Sequence, residues 1–302
     1  MLNKTLATAE APPAGTAEPG PVALQPRDVR FDWSGLPLRW IPGEPQASHL
    51  LSVLHLLLPE GERWFVSTFK RALPLITDAA LREDVIGFIG QEAIHAEAHQ
   101  GVLDYYASAG VDTTGYIRQV EWLFRRILAP RPDLTPAGQR ELLIEQVGIV
   151  AAAEHFTAMM GAWVLDATAL DEVDLDPRML DLLRWHGSEE VEHRHVAFDL
   201  MTHLDPSYIR RVRSLLLVAP ILAIMWARGG KYFAAADENQ DFRLTWRTYF
   251  DAARRGLLPT PGAFARCTLR WFKRGYHPSQ DYSTAKCVAY LGSSPAARAA
   301  AR

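Results

Sequence analysis

Between His186 and Asp199 the chain reads HGSEEVEHRHVAFD, with three histidines, three glutamates and an aspartate within a few helical turns. Such groups resist burial unless they are paired or bound to a cation. The first question is therefore which of them face water. On an α-helix each residue advances by about 100°. With His186 at zero, Glu190 falls near about +40° and His193 near about −20°, on the side that carries Met179, Leu182, Leu183, Ala197 and Leu200. His186, Glu190 and His193 thus share the stripe that faces a core. Glu192, Arg194 and His195 turn the other way and read as a solvated face.

A second stretch, FIGQEAIHAEAHQ, repeats the pattern, with Glu92, His95 and His99 on the side of Val85, Phe88 and Leu103 while Glu97 points outward. Two further helices each supply a lone acid. Glu62 aligns with Phe65, Val66, Phe69 and Leu73, opposite Glu60; Glu154 aligns with Leu143, Val147, Val150, Ala158 and Leu165, opposite Glu145. The order along the chain is Glu, Glu-x-x-His, Glu, Glu-x-x-His. A four-helix bundle that joins these faces gathers four carboxylates and at least two imidazoles, the donor set of the dinuclear sites of ferritin-like proteins. Two divalent ions balance four glutamates, and oxygen and imidazole donors suit iron, or manganese with iron, rather than a thiolate-bound metal. Buried salt bridges are the competing account, but no lysine or arginine falls on these faces.

His186 lies one turn before Glu190 and joins Glu62, Glu92, His95, Glu154, Glu190 and His193 as a candidate ligand. His99, one turn beyond His95, is either a ligand or a partner of one. Gln91 and Glu189 each precede the glutamate of a Glu-x-x-His motif and are placed to orient the histidine of the opposite helix. His155 sits about 100° from Glu154 and falls off the site. His55, His203 and His277 have no such context. The small residues Ala151, Ala152, Ala153, Ala158 and Gly161 either leave room for a substrate or permit close helix packing.

These side chains need helices to hold them, and the sequence is predicted to be helical from about Gln46 to Trp226, with few alternating β-branched runs. Pro59 and Gly61 are read as opening the helix of Glu62, Thr77-Asp78 as capping the next, and Gly110 as ending it. The Pro130–Pro136 region precedes the helix of Glu154, and Asp174–Pro177 that of His186. The expected fold is all-α: a ferritin-like four-helix bundle with extra helices over 27–205 and a helical, aromatic-rich extension over 206–292. Residues 1–26, rich in Ala, Pro, Thr and Gly, read as a disordered tail without the apolar run of a secretory signal, and 293–302 as a flexible one.

The 302 residues suffice for a sizeable core. A net charge of −3 with interspersed signs gives no nucleic-acid footprint. Two cysteines, Cys267 and Cys287, make no disulfide framework, and a reduced, cytoplasmic setting is expected. No segment reads as long enough to span a bilayer. The apolar run SLLLVAPILAIMW, Ser214 to Trp226, is either a helix covering the bundle or an apolar surface facing a membrane or a substrate.

The segments QEAIHAEAH and WHGSEEVEHRHVAFD resemble the bacterial family of predicted metal-dependent hydrolases, from about Val29 to Leu291 and including YHPSQDYS. The ligand order also resembles that of the di-iron p-aminobenzoate N-oxygenase family, over the ligand helices only. Glu62, Glu92, His95, Glu154, His186, Glu190 and His193 match that series, which supports His186 as a third imidazole ligand. One departure is Gln91, where many di-iron proteins carry an acid. The expected function is a non-haem di-iron oxidoreductase that uses O₂ and an electron donor to oxygenate or oxidise a hydrophobic small molecule. A hydrolase with a metal-activated water is the alternative, and iron handling a third. The substrate and the oligomeric state are left open.

Overall fold

The structure, a computed structural model, describes residues 18–19, 22–239 and 241–302. Most of the expected 1–26 tail lies outside the described residues. Helices are their regular elements, with no strand among the described residues. Four long stretches build the bundle: α1 (Pro45–Ala72), α2 (Ala79–Ser108), α4 (Pro136–Asp166), and α5 (Pro177–Glu192) continued by α6 (Val196–Leu204). Between α2 and α4 run α3 (Thr114–Trp122) and a π turn, Leu123–Ile127. After the bundle come α7 (Tyr208–Ala236), α8 (Trp246–Arg254), α9 (Pro261–Trp271), α10 (Thr284–Ser293) and α11 (Pro295–Ala300).

The helix starts follow capping chemistry. The Asp78 carboxylate accepts from Leu81 N at the head of α2, and the Thr135 hydroxyl from Gly138 N at the head of α4. Pro136 and Pro177 occupy first-turn positions whose missing N–H costs nothing. Gly110, with φ of +87°, supplies the left-handed residue beyond α2.

Two apolar clusters divide the core. One joins Leu51, Leu56, Val102, Tyr106, Met179 and Leu182. The other joins Phe65, Phe69, Phe88, Val147, Val150 and Leu200. Along every bundle helix, the acids and imidazoles singled out by the face arithmetic fall between these two clusters. The bundle therefore has apolar ends and a polar waist. α4 and α5 approach closely at Gly161 and Gly187, where a Cβ on Gly161 would lie 2.4 Å from the Gly187 carbonyl oxygen. At Gly161, at least, the small residue serves close packing.

Several expectations are corrected. Pro59 does not start a helix: α1 begins at Pro45 and runs straight through it, since a proline removes one internal N–H bond while the apolar face on both sides stays buried. The helix of His186 does not run on to Asp199; α5 ends at Glu192 and α6 begins at Val196, with His193 between them. Residues 22–26 lie against α2, with Leu24 over Gly87 and Pro26 over Gly90. The stretch 293–302 contains α11, in which Ala296 N donates to Asp181 on α5 and Ala296 and Ala297 are buried. Finally, α4 and α7 are both long and apolar enough to cross a bilayer by length and composition, with 67 % and 22 % of their apolar windows buried in the protein. The Ser214–Trp226 run is the middle of a longer helix: α7 continues through Pro220 for 29 residues.

Candidate metal centre

Seven side chains meet at the waist: Glu62 from α1, Glu92 and His95 from α2, Glu154 from α4, His186 and Glu190 from α5, and His193 just beyond it. None is more than 5 % exposed. They form two quartets, Glu62–His95–His186–Glu190 and Glu92–Glu154–Glu190–His193, each with one donor atom per residue within 4.8 Å of the others. Glu190 belongs to both.

Several contacts within and between the quartets are short but poorly suited to hydrogen bonding. His193 Nε2 lies 3.1 Å from Glu154 Oε2 and 3.3 Å from Glu92 Oε1, and His95 Nδ1 lies 3.6 Å from Glu92 Oε1 and 3.5 Å from Glu190 Oε1. Proximity without alignment leaves both oxygens of Glu62, Glu92 and Glu154, together with Glu190 Oε2, His95 Nδ1 and His193 Nε2, buried with no hydrogen-bond partner. Burial of so many unsatisfied polar atoms is costly, and lone pairs converging on two points are what cations satisfy. The donor set, four carboxylates and three imidazoles, fits two divalent ions in charge and hardness.

The electrostatics of the metal-free cluster express the same frustration. Burial, with Glu92 and other carboxylates nearby, drives the Glu62 carboxyl well above its usual range. Burial and the charges of Glu190 and Glu92 do the same to Glu154. Although burial opposes it, Glu190 is held well below the usual range by His193, His186 and His95. Burial likewise opposes the charged forms of His95 and His193, but the hydrogen bond His95 donates to Glu189 and the nearby Glu190 and Glu92 carboxylates raise the first, and the Glu190 and Glu154 carboxylates raise the second. Protons thus stand in for cations. Metal binding would release them.

Outside the seven lies a ring of orienting groups. Glu189 Oε2 accepts from His95 Nε2 at 2.9 Å, turning His95 Nδ1 inward. Gln91 Oε1 lies 3.1 Å from His193 Nδ1, turning His193 Nε2 inward. Each residue reaches the histidine of the opposite helix. His99 lies outside both quartets, with its Nε2 2.7 Å from His186 Nδ1. Trp185 packs edge-on to His95 and Phe88 edge-on to His193, closing the waist with aromatic rings.

Three residues of this ring were missed by sequence reasoning. Glu192 and Arg194, expected on a solvated face, are buried at 5 % and 8 % exposure. The reason is the arm that precedes α1. Arg27 reaches Glu189 at 2.6 Å and Glu192 at 2.9 Å, while Gln91 Nε2 donates to Glu192 at 3.1 Å. Arg194 donates to the carbonyls of Val191 and Pro278. The third is His55, expected to be ordinary. Its Nδ1 lies 2.8 Å from His99 Nδ1, extending a line of three imidazoles from His186. Burial, and the charge of His186, lower the His55 pKa to about 3, so the outer end of the line is neutral. A signal was available: His55 precedes Glu62 by seven residues and so shares its helix face. The remaining histidines are elsewhere, His49 on Asp237, His155 on the Cys267 carbonyl, His195 near Asp84, His203 at Thr77 and His277 on Asp199. Glu97 is exposed and pairs with Arg63. Cys267 and Cys287 are free and buried.

A family model described as predicted metal-dependent hydrolase matches residues 25–281. No curated protein and no solved structure matches the chain.

Proposed function

The chain belongs to the predicted metal-dependent hydrolase family, and from that premise we propose that it is an oxidoreductase whose centre takes two iron ions and uses O₂ to oxygenate or oxidise a hydrophobic small molecule. The observation that carries this reading is the pair of buried quartets sharing Glu190. In this reading, Glu62, His95, His186 and Glu190 would hold one ion, and Glu92, Glu154, Glu190 and His193 the other. Two redox-active ions there would supply the electrons for O₂ chemistry. The chain's own residues do the rest. Glu189 and Gln91 fix the rotation of His95 and His193, so the ligand nitrogens are set before metal arrives. Trp185, Phe88 and the two apolar clusters keep bulk water from the waist. Exclusion of water protects reactive chemistry from side reactions.

Hydrolysis is the second reading, favoured by the family's description. There the paired ions would lower the pKa of a bound water. It is the less economical one for a site whose ligands are all at most 5 % exposed, because hydrolysis consumes water and commonly acts on polar substrates. The two readings separate in one experiment. Metal-free protein is reconstituted anaerobically with ferrous iron and then mixed with oxygenated buffer, while zinc- and manganese-loaded samples are offered ester substrates without oxygen. Oxygen uptake with a transient near-ultraviolet or visible absorbance supports the oxidoreductase. Ester cleavage by the zinc or manganese form, with no oxygen uptake by the iron form, assigns the hydrolase instead.

A further inference from the structure

The outer surface of α7 departs from what a water-facing helix requires. Ile209, Leu216, Leu217 and Ile224 are 76 %, 62 %, 47 % and 60 % exposed. They recur at helical spacing and form one stripe. Beside the stripe, Trp122 and Ile127 at the end of α3 and its π turn are 59 % and 56 % exposed. Between the two elements lies a hollow of about 520 Å³ whose apolar walls include Val120, Trp122, Ile221, Ile224 and Met225. Arg118 and Arg228 border the same hollow.

The charge carried by α7 has one sign. The whole of α7 carries Arg210, Arg211, Arg213, Arg228 and Lys231, and no Asp or Glu. Arg210 and Arg213 are held by Glu145, and Arg211 is buried. Arg228 donates only to the Gln119 amide among the described residues. Lys231, Arg118 and Arg126 are exposed, with Asp112 the acid near Arg118.

We propose that this face docks the protein on an anionic lipid bilayer. The opposite side of α7 is already committed to the protein: Leu215, Val218, Gly229 and Phe233 are buried, and Gly229 approaches Val53 of α1. The helix therefore lies on a membrane rather than crossing it. An apolar stripe enters the headgroup–acyl boundary, exposed Trp122 sits where tryptophan favours the interface, and the hollow beside it accepts an acyl chain. The arginines and Lys231 face lipid phosphates. A second copy of the chain fits less well. A two-fold interface sets a patch against itself, and this patch would bring Arg118, Arg228 and Lys231 against cations of the other copy. The proposal is independent of the reaction run at the waist.

The test is co-sedimentation of the full chain with vesicles of phosphatidylcholine alone or of equimolar phosphatidylcholine and phosphatidylglycerol, with sedimentation velocity of the lipid-free protein beside it. The protein is expected to pellet with the mixed vesicles at low salt and to be released as salt is raised. Leu217→Glu with Ile224→Glu should weaken that binding by at least about tenfold, and Arg228→Glu by about fivefold. Both changes are at exposed positions and should leave the circular-dichroism melting curve unchanged, which separates lost docking from lost folding. Failure of the wild-type chain to bind either vesicle would overturn the proposal, as would undiminished binding by the double variant. A lipid-free dimer that the double variant dissociates would assign the face to self-association instead.

Discussion

Replacing Glu189 with glutamine probes how the outer carboxylate governs the metal centre. Glu189 is fully buried and serves three donors: His95 Nε2 at 2.9 Å, Arg27 Nη1 at 2.6 Å and Trp185 Nε1 at 3.2 Å. Glutamine keeps the volume but turns one acceptor oxygen into an NH₂ group that only donates. At least one of the three donors then loses its acceptor, and His95 loses the charge that fixes Nδ1 toward the waist. Loss of such a partner costs about 10–100-fold in metal affinity, or about 1.4–2.7 kcal/mol. The effect should be lopsided. His95 belongs to the quartet of Glu62, His186 and Glu190, while the quartet of Glu92, Glu154, Glu190 and His193 does not include it. Chelator competition, with bound metal counted by elemental analysis at each step, reads both affinities. The variant should hold one ion per chain as tightly as the wild type and release the other at a chelator concentration about 10–100-fold lower. Two unchanged ions, or two equally weakened ions, would refute the assignment of Glu189 to one half of the centre.

Three further outcomes follow from the geometry. Glu192→Ala removes the acceptor of Arg27 and Gln91 and should cost about 1–3 kcal/mol in denaturant unfolding; Glu97→Ala, on an exposed pair with Arg63, should change stability by less than about 0.5 kcal/mol. Gly161→Ala places a Cβ 2.4 Å from the Gly187 oxygen and 2.8 Å from its Cα; forcing α4 from α5 should cost about 1–3 kcal/mol and weaken metal binding, as read by melting and chelator titration. Metal-free protein should lose stability as pH rises. Glu62, Glu154, His95 and His193 all have folded pKa values above their ordinary 4.5 or 6.5, so their stabilising protons are fully present below those values and are lost as pH climbs through the folded ones. Glu190, held low, acts oppositely, and its contribution is lost as pH falls through its folded value. Calorimetry from about pH 6.5 to about pH 9 should show the metal-free melting temperature falling more steeply than the metal-loaded one.

The clustering of these side chains was legible in the sequence because it obeys a rule that one helix at a time can express. Glu62, Glu92, Glu154 and Glu190 each interrupt an apolar stripe, and 100° arithmetic shows it without knowledge of the partner helices. The same arithmetic fails where a second layer intervenes. Glu192 and Arg194 do point away from the waist, but away from the waist is not toward water: Arg27 and the loop at Pro278 lie there. Nothing in the periodicity of α5 announces a long-range partner some 165 positions away in sequence. His55 was hidden by a different error. Treating Pro59 as a helix start cut it from the register of Glu62, although one missing N–H is a small loss in a 28-residue buried helix. α7 likewise runs through Pro220 and extends beyond the Ser214–Trp226 apolar run at both ends. Tail composition misled at the C-terminus, where Ala- and Ser-rich residues dock because Asp181 accepts from Ser294 and Ala296.

The central claim is that two cations, not protons, complete the waist of the bundle. Anomalous scattering from a crystal grown with ferrous iron tests it most directly. Two peaks about 3.5–4 Å apart are expected, one among Glu62, His95 and His186, the other among Glu92, Glu154 and His193, with Glu190 touching both. A density map with no anomalous peak among these seven side chains would contradict it.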